Sequence, residues 1–283
     1  MNYFIINPNA GTNNHKQYLA LVKLIKVSPS NIVLETSRPL EAGELVQKAI
    51  AEGATRIIAV GGDGTINEVA SALIGTSIPL GIIPVGSGNG LARHLGIPLE
   101  PNKALQLAMM GNPQAIDAGL FNGRPFFCTA GIGFDASVAH RFAKGSGRGL
   151  LNYVKATFHT LFQYQPISVS INEGPWEEVF SITFANANQF GNNAYISPYS
   201  NIQDGLLEMI KIRKLHLLQA ASIGLRLFFG NLPASKSVDS QSVPSIKIQY
   251  QSNQPIHLDG EHLFTQTAGL EIKILPKALQ VIA

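Results

Sequence analysis

The stretch IIAVGGDGTINEVA (57–70) places an aspartate, Asp63, inside a glycine-rich turn. Turns that follow an apolar strand and open a helix gather anions, because unpaired backbone N–H groups and the positive helix end point at the ligand. A carboxylate at such a place repels a phosphate. Either Asp63 caps the helix TINEVASALIG, a job for which Thr65 competes, or it acts through a metal ion or a proton to be removed. In the second case Gly61, Gly62 and Gly64 let the backbone approach the phosphates. Two further loops share this character: NPNAG (Asn7, Pro8, Asn9, Ala10, Gly11) after YFII, and GSGNG (86–90, with Ser87 and Asn89) after GIIPV. Ligands of open α/β sheets sit beyond the carboxyl ends of the strands, so three such loops together point to nucleotide phosphates. Thr36, ending NIVLET, belongs to the same edge within reach of a ribose or base, or is a plain surface threonine.

A second acidic constellation closes the chain. In HLDGEHL, residues 257, 259 and 261 share one face if the strand stays extended, whereas the Asp-Gly pair turns the chain and separates the two acids. The familiar alternatives fail on spacing. GxxxxGK[ST] and GxSxG are absent, which removes the P-loop and the nucleophile elbow. Gly131, Gly133 and Ala136 form GxGxxA, but a dinucleotide fingerprint needs an acid about 20 residues on, and no Asp or Glu occurs between Asp135 and Glu173. The seven histidines lack HExxH spacing, and a single cysteine does not make a structural zinc site.

The elements that must position these residues change style near residue 117. Before it, apolar runs alternate with helical stretches: YFIIN and HKQYLALVKLIK, NIVLET and LEAGELVQKAIAEG, RIIAV and TINEVASALIG, PLGIIPV and NGLARHLG then NKALQLAMMG. That alternation predicts a parallel sheet covered by helices. After it come PFFCTAG, ISVSIN, EEVFSITFAN, LLEMIKIR, SIKIQY, PIHLDG and LEIKIL, which predict a mostly antiparallel second domain with helical insertions around 148–164 and 215–229.

Bulk properties bound the reading. The 283 residues suffice for one large or two modest domains. A content of 45% hydrophobic and 14% charged residues describes an ordered globular chain. A net charge of +3 argues against a dedicated nucleic-acid binder. One cysteine, Cys128, precludes an intramolecular disulfide and suits a reducing, cytoplasmic compartment. MNYFIINPNAG has no signal-peptide pattern. The most apolar stretch, KLHLLQAASIGLRLFFG, is broken by Lys214, His216, Gln219 and Arg226, so no membrane span is expected. From 136 to 172 the chain has no acid and carries Arg141, Lys144, Arg148 and Lys155 beside apolar and aromatic residues. That suits peripheral contact with an anionic membrane, against the alternative of an ordinary packed helix.

GGDGTINEV, with NPNAG upstream and PVGSGNGLARHLGIP downstream, closely resembles the diacylglycerol kinase catalytic domain of the bacterial DgkB and YegS type, relatives of sphingosine and ceramide kinases. The resemblance continues through AIDAG, GIGFDA, NIQDGLLEM, HLDGE and ILPKAL, and so covers nearly the whole chain. It implies an ATP- and Mg²⁺-dependent kinase of a lipid hydroxyl, with an α/β ATP-binding domain at 1–117, rejoined by the final strand 266–283, and an antiparallel β-sandwich at 118–265 carrying the lipid substrate and metal site. By resemblance, ATP contacts fall on Asn7 to Gly11, Thr36, Gly61 to Asn67 (with Ile66) and the third loop at Ser87 and Asn89. The metal falls on Asp204 and the backbone of Asn201 and Leu206, supported by Asp117, with Asp135 near the presumed domain junction. The general base falls on Asp259 or Glu261, without a choice between them. The acceptor is diacylglycerol or a related lipid alcohol, and a homodimer is compatible. GGDGT is shared with NAD kinases, an alternative opposed by GSGN and NIQDG; a silent nucleotide-binding regulator is opposed by Asp63, Asp204, Asp259 and Glu261 all being present.

Overall fold

The computed structural model describes residues 1–11, 15–145, 150–250, 254–264 and 267–283. Arg148, one of the four cations noted above, lies outside them. The chain divides into two compact units, Met1–Ile116 with Lys277–Ala283, and Asp117–Pro276.

The first unit runs β1 (Asn2–Ile6), α1 (His15–Ile25), β2 (Asn31–Glu35), α2 (Ala42–Ala51), β3 (Arg56–Gly61), α3 (Asp63–Leu73), β4 (Leu80–Pro84), α4 (Gly90–His94) and α5 (Pro101–Met110). The strands pair in parallel in the order β2-β1-β3-β4. Tyr3–Ile6, Ile57–Val60 and Leu80, Ile82 and Ile83 are buried, as expected of parallel strands covered on both faces. The strand order reverses between β1 and β3. That reversal opens the crevice in which doubly wound sheets bind ligands, and it puts the loops after β1 and β3 side by side.

The chain passes into the second unit along β5 (Pro113–Phe121) and continues through β6 (Arg124–Phe126), β7 (Thr129–Gly133), α6 (Phe134–Lys144), α7 (Leu150–Leu161), β8 (Ile167–Ile171), β9 (Trp176–Ala185), β10 (Leu207–Arg213), α8 (Leu217–Phe229), β11 (Val238–Val243), β12 (Ser245–Tyr250), β13 (Pro255–Leu258), β14 (Glu261–Phe264) and β15 (Gly269–Ile282). Pairing here is antiparallel: β9 with β7, β8 and β10, β10 with β11, β12 with β8 and β15, and β13 with β7 and β14. Phe121, Phe184, Leu207, Met209, Ile248 and Ile272 belong to one core. Ile210 and Ile212, from the other face of β10, belong to a second core with Phe180, Ile223 and Leu232.

The insertions expected around 148–164 and 215–229 contain α7 and α8. Helix α6 was not foreseen, because its buried face is made largely of small residues, Ala136 and Ala139 with Val138, and the segment as a whole is not apolar. Edge strand β11 was missed because VDSQSV is polar and half exposed. The final strand does not return whole to the first unit as expected. Residues 269–273 of β15 pair with β12 in the second unit, Val281 pairs with Leu80 of β4, and the division falls after Pro276.

Candidate active site

At the edge of the first unit the three loops are bound to one another by their own side chains. Asn7 donates from Nδ2 to Thr65 Oγ1 at 3.1 Å and accepts the Asn9 N–H on Oδ1 at 2.9 Å, joining the first loop to the second. Asp63 joins the second to the third: Oδ2 accepts the Asn89 N–H at 2.9 Å and Oδ1 the Gly90 N–H at 2.8 Å. Asp63 is thus the first residue of α3 but does not cap it; the N-cap is Gly62, and the carboxylate ties down the start of α4 instead. Thr65, the competing cap, is the partner of Asn7.

The glycines close the assembly. A Cβ on Gly86 would lie 2.6 Å from Gly62 Cα, one on Gly88 2.7 Å from Asp63 Oδ2, and one on Gly11 (φ +83°) 2.3 Å from the Val85 carbonyl oxygen. These positions exclude side chains because loop lies against loop. Asn89 is in the left-handed region (φ 53°) and buried, with Nδ2 donating to the Gly86 carbonyl at 2.9 Å. Pro8, Asn9 and Ser87 are exposed at the loop tips, whereas Ile66 is buried, so its expected ATP contact can only be made by backbone. The Thr36 N–H donates to the Ile6 carbonyl at 2.9 Å, which holds the end of β2 beside the first loop.

In the second unit the late acidic motif is a hairpin. Leu258 pairs with Glu261, and Asp259 (φ 49°) and Gly260 (φ 85°) form the two-residue connection, with the paired positive φ of a type I′ turn. The shared-face alternative for 257, 259 and 261 is therefore corrected: the turn sets the two acids apart. The Asp259 carboxylate is taken up by backbone, Oδ1 accepting the N–H of Cys128 at 2.7 Å and of Thr129 at 3.0 Å, and Oδ2 that of Phe127 at 2.9 Å. Glu261 begins β14 and is exposed.

Asp117 is fully buried, accepting the Gly205 N–H on Oδ2 at 2.7 Å and donating its own N–H to the Ile202 carbonyl at 2.8 Å. It thereby anchors the turn 201–206. Within that turn Asn201 Oδ1 accepts the Gln203 N–H, and Asp204 Oδ1 accepts the Leu206 N–H at 3.0 Å. Asp204 itself is exposed. Among the described residues no group of three or more His, Cys, Asp or Glu side chains could cage a metal ion. One exposed carboxylate with turn carbonyls fits Mg²⁺, which binds through few protein oxygens and keeps several waters.

Sequence reasoning missed the residue that links these two regions. Asn186, fully buried, donates from Nδ2 to the Asp117 carbonyl at 3.0 Å and to the Phe127 carbonyl at 2.9 Å, and its N–H donates to Cys128 O. A hydrogen-bonded chain therefore runs from the 201–206 turn through Asp117 and Asn186 to residues 127–129 and on to Asp259. Its only sequence signal was an asparagine closing the strand-like run EEVFSITFAN.

Asp135 belongs to another buried set. Its Oδ2 accepts from Thr183 Oγ1 at 2.6 Å and lies 3.1 Å from His257 Nε2. Gly131 has no room for a Cβ, which would meet both Asp135 and His257. Gly133 (φ +100°) has none either, since a Cβ there would lie 2.7 Å from the Phe180 carbonyl oxygen, so both glycines of GxGxxA are explained without a dinucleotide, on a strand β7 that pairs antiparallel with β9 and β13. Burial, and then the Asp135 carboxylate, push the Tyr153 and Tyr164 hydroxyls up, so both stay neutral; Tyr164 donates to the Phe180 carbonyl.

Comparison with known proteins shows the family and the fold. Residues 2–121 match the diacylglycerol kinase catalytic domain, and residues 128–283 match the YegS C-terminal NAD kinase beta sandwich-like domain. The "Probable lipid kinase YegS-like" of Serratia proteamaculans is 30% identical, covering 98% of this chain and 92% of its own. That of Chromohalobacter salexigens is 31% identical over 84% of this chain and 79% of its own. The fold matches the crystal structure of a diacylglycerol kinase from Bacillus anthracis str. Sterne with a TM-score of 0.73 at 22% identity, covering 99% of this chain and 96% of that one. The chain belongs to the YegS-like, diacylglycerol kinase-type family of lipid kinases, as a kinase catalytic domain followed by a β-sandwich domain.

Proposed function

We propose that the chain transfers the γ-phosphoryl group of ATP to the hydroxyl of a membrane lipid, diacylglycerol or a related lipid alcohol, in the presence of Mg²⁺. The observation that carries the nucleotide part is the edge of the first unit, where Asn7, Asp63 and three mutually excluding glycine contacts hold three loops at a strand-order reversal. Asn7 to Gly11, Thr36, Gly61 to Asn67, Ser87 and Asn89 receive the nucleotide. Phosphoryl transfer needs placement and charge neutralisation more than covalent help from the protein. Mg²⁺, held through Asp204 and the backbone of Asn201 and Leu206, would neutralise phosphate charge. Asp63, whose carboxylate ties the second loop to the third, would add a fixed negative charge at the same edge, suited to the hydration shell of the metal ion when it is bound.

Of the two acids in the late motif, Glu261 serves as the general base. Asp259 is engaged by three backbone N–H donors and acts as the clamp of the hairpin. In the transfer, the acceptor oxygen forms a bond to the γ-phosphorus, the bond to the ADP oxygen breaks, and the hydroxyl proton passes to Glu261. Arg141, Lys144 and Lys155 provide a basic surface toward an anionic bilayer, consistent with no helix of the described residues being long and apolar enough to cross a membrane.

The test is transfer of label from γ-labelled ATP to diacylglycerol, phosphatidylglycerol, a sphingoid base and NAD. Label entering a lipid, and depending on Mg²⁺, is the expected result. Label entering NAD alone, or no acceptor at all, overturns the proposal.

A further inference from the structure

Helices α7 and α8 expose apolar stripes of the same spacing. On α7 and the residue that follows it, Leu151 (78% exposed), Phe158 (58%) and Phe162 (72%) stand at positions i, i+7 and i+11, with exposed Lys155 at i+4. On α8, Leu218 (86%), Leu225 (64%) and Phe229 (79%) repeat i, i+7 and i+11, with exposed Ser222 at i+4. Each helix also has an inward apolar face on the second core of the β-sandwich unit, through Leu161 for α7 and through Ala220, Ile223 and Leu227 for α8. Both helices therefore cover the same face of the sheet and are apolar on two sides. A packed surface helix needs only one apolar stripe, and large side chains exposed in a row mark a surface that meets something apolar.

The charge around these stripes says what that is. The chain has 18 Asp and Glu residues, yet none lies in 136–172, which contains α7, and none in 209–238, which contains α8. The same segments carry Lys144, Lys155 and Arg226, for which no ion pair occurs among the described residues. Two copies meeting through this face would oppose cation to cation. An anionic bilayer offers apolar tails beneath a negative surface, the complement of Leu and Phe beside Lys and Arg.

We infer that α7 and α8 together form the membrane-seating face of this protein, with Leu151, Phe158, Phe162, Leu218, Leu225 and Phe229 entering the interfacial layer of an anionic bilayer. The inference extends the basic surface proposed above to a second helix and to an apolar anchor. It rests on the lipid-kinase reading for its purpose and is tested without it.

The full chain is sedimented with vesicles of phosphatidylcholine containing phosphatidylglycerol, comparing wild type with Phe158→Ser/Phe162→Ser and Leu218→Ser/Phe229→Ser. All four side chains are exposed, so the variants keep the wild-type melting temperature. Each pair should weaken vesicle partitioning by about tenfold or more, from the apolar area withdrawn from the bilayer. Phosphorylation of short-chain diacylglycerol in detergent micelles should be unchanged. A Phe229→Trp substitution in a Trp176→Phe chain should shift its emission to the blue on vesicles and be quenched by lipids brominated in the acyl chain. Unchanged partitioning by both double variants overturns the inference. So does concentration-dependent dimerisation that the substitutions abolish while vesicle binding persists, because the face then belongs to a second copy. Failure to phosphorylate micellar diacylglycerol with vesicle binding intact counts against the kinase reading and leaves the seating face standing.

Discussion

Asp259 and Glu261 stand two residues apart and have different environments, so their substitutions should separate. Glu261→Gln is expected to lower kcat by about 10² to 10⁴, the usual worth of general-base catalysis, with the melting temperature and the KM for ATP near wild type. Asp259→Ala leaves the N–H groups of Phe127, Cys128 and Thr129 without their acceptor. It should cost about 1–3 kcal/mol or more of stability, visible in thermal unfolding. If Asp259→Asn abolishes turnover with unchanged stability while Glu261→Gln does not, the assignment of the base reverses. Asp63→Ala frees the Asn89 and Gly90 N–H groups and removes a negative charge from the edge where the three loops meet. If Asp63 serves the nucleotide as proposed, turnover should be lost and ATP affinity reduced together, since the same carboxylate holds the third loop. Activity within a few fold of wild type would leave Asp63 as a loop tie alone.

Elements are joined by groups that no single element contains. Asn186, at the end of β9, bonds the Asp117 and Phe127 carbonyls. Asn186→Ala should lower both the melting temperature and kcat on lipid, while ATP still stabilises the protein, because the linkage lies wholly within the second unit. Loss of ATP stabilisation in that variant would contradict this separation. The contact of α6 with β14 makes a pH prediction. The His140 and His262 rings lie 4.9 Å apart between centroids, with Phe264 against His140. Burial first, then Lys144, His262 and Arg141, lower the His140 pKa from 6.5. The unfolded chain therefore binds this proton more readily, so this contribution to stability is present above about pH 6.5 and is lost as the pH falls. The fall in melting temperature between pH 8 and pH 5.5 should shrink in His140→Asn; an identical fall would show that other groups govern it.

For the whole molecule, ATP with Mg²⁺ is expected to raise the melting temperature, since a ligand bound by the native state shifts unfolding by mass action, about 2.7 kcal/mol at a concentration 100 times Kd. No shift at millimolar ATP, with or without Mg²⁺, would count against the nucleotide site. The two units answer to different parts of the sequence. Alternating apolar and helical runs made the first one legible, whereas the second was legible in most of its strands but not in β5, β14 or polar β11, nor in α6, whose buried face is built largely of alanine.

Local chemistry and period carried the three glycine-rich loops and the parallel sheet beneath them, because strand burial, turn residues and loop composition are properties of neighbouring residues, whereas the roles of Asp204, Asp259 and Glu261 came from the family resemblance. Tertiary structure decided the rest. Asp259 is engaged by backbone groups 130 to 132 positions away, Asp117 by Gly205 at a distance of 88, and Asn186 by Asp117 at 69. No periodicity encodes such pairings, since each depends on where antiparallel strands bring unlike segments together. The N–H groups that the fold directs at Asp259 are what the proposal uses to tell a clamp from a base, and they come from residues remote in sequence.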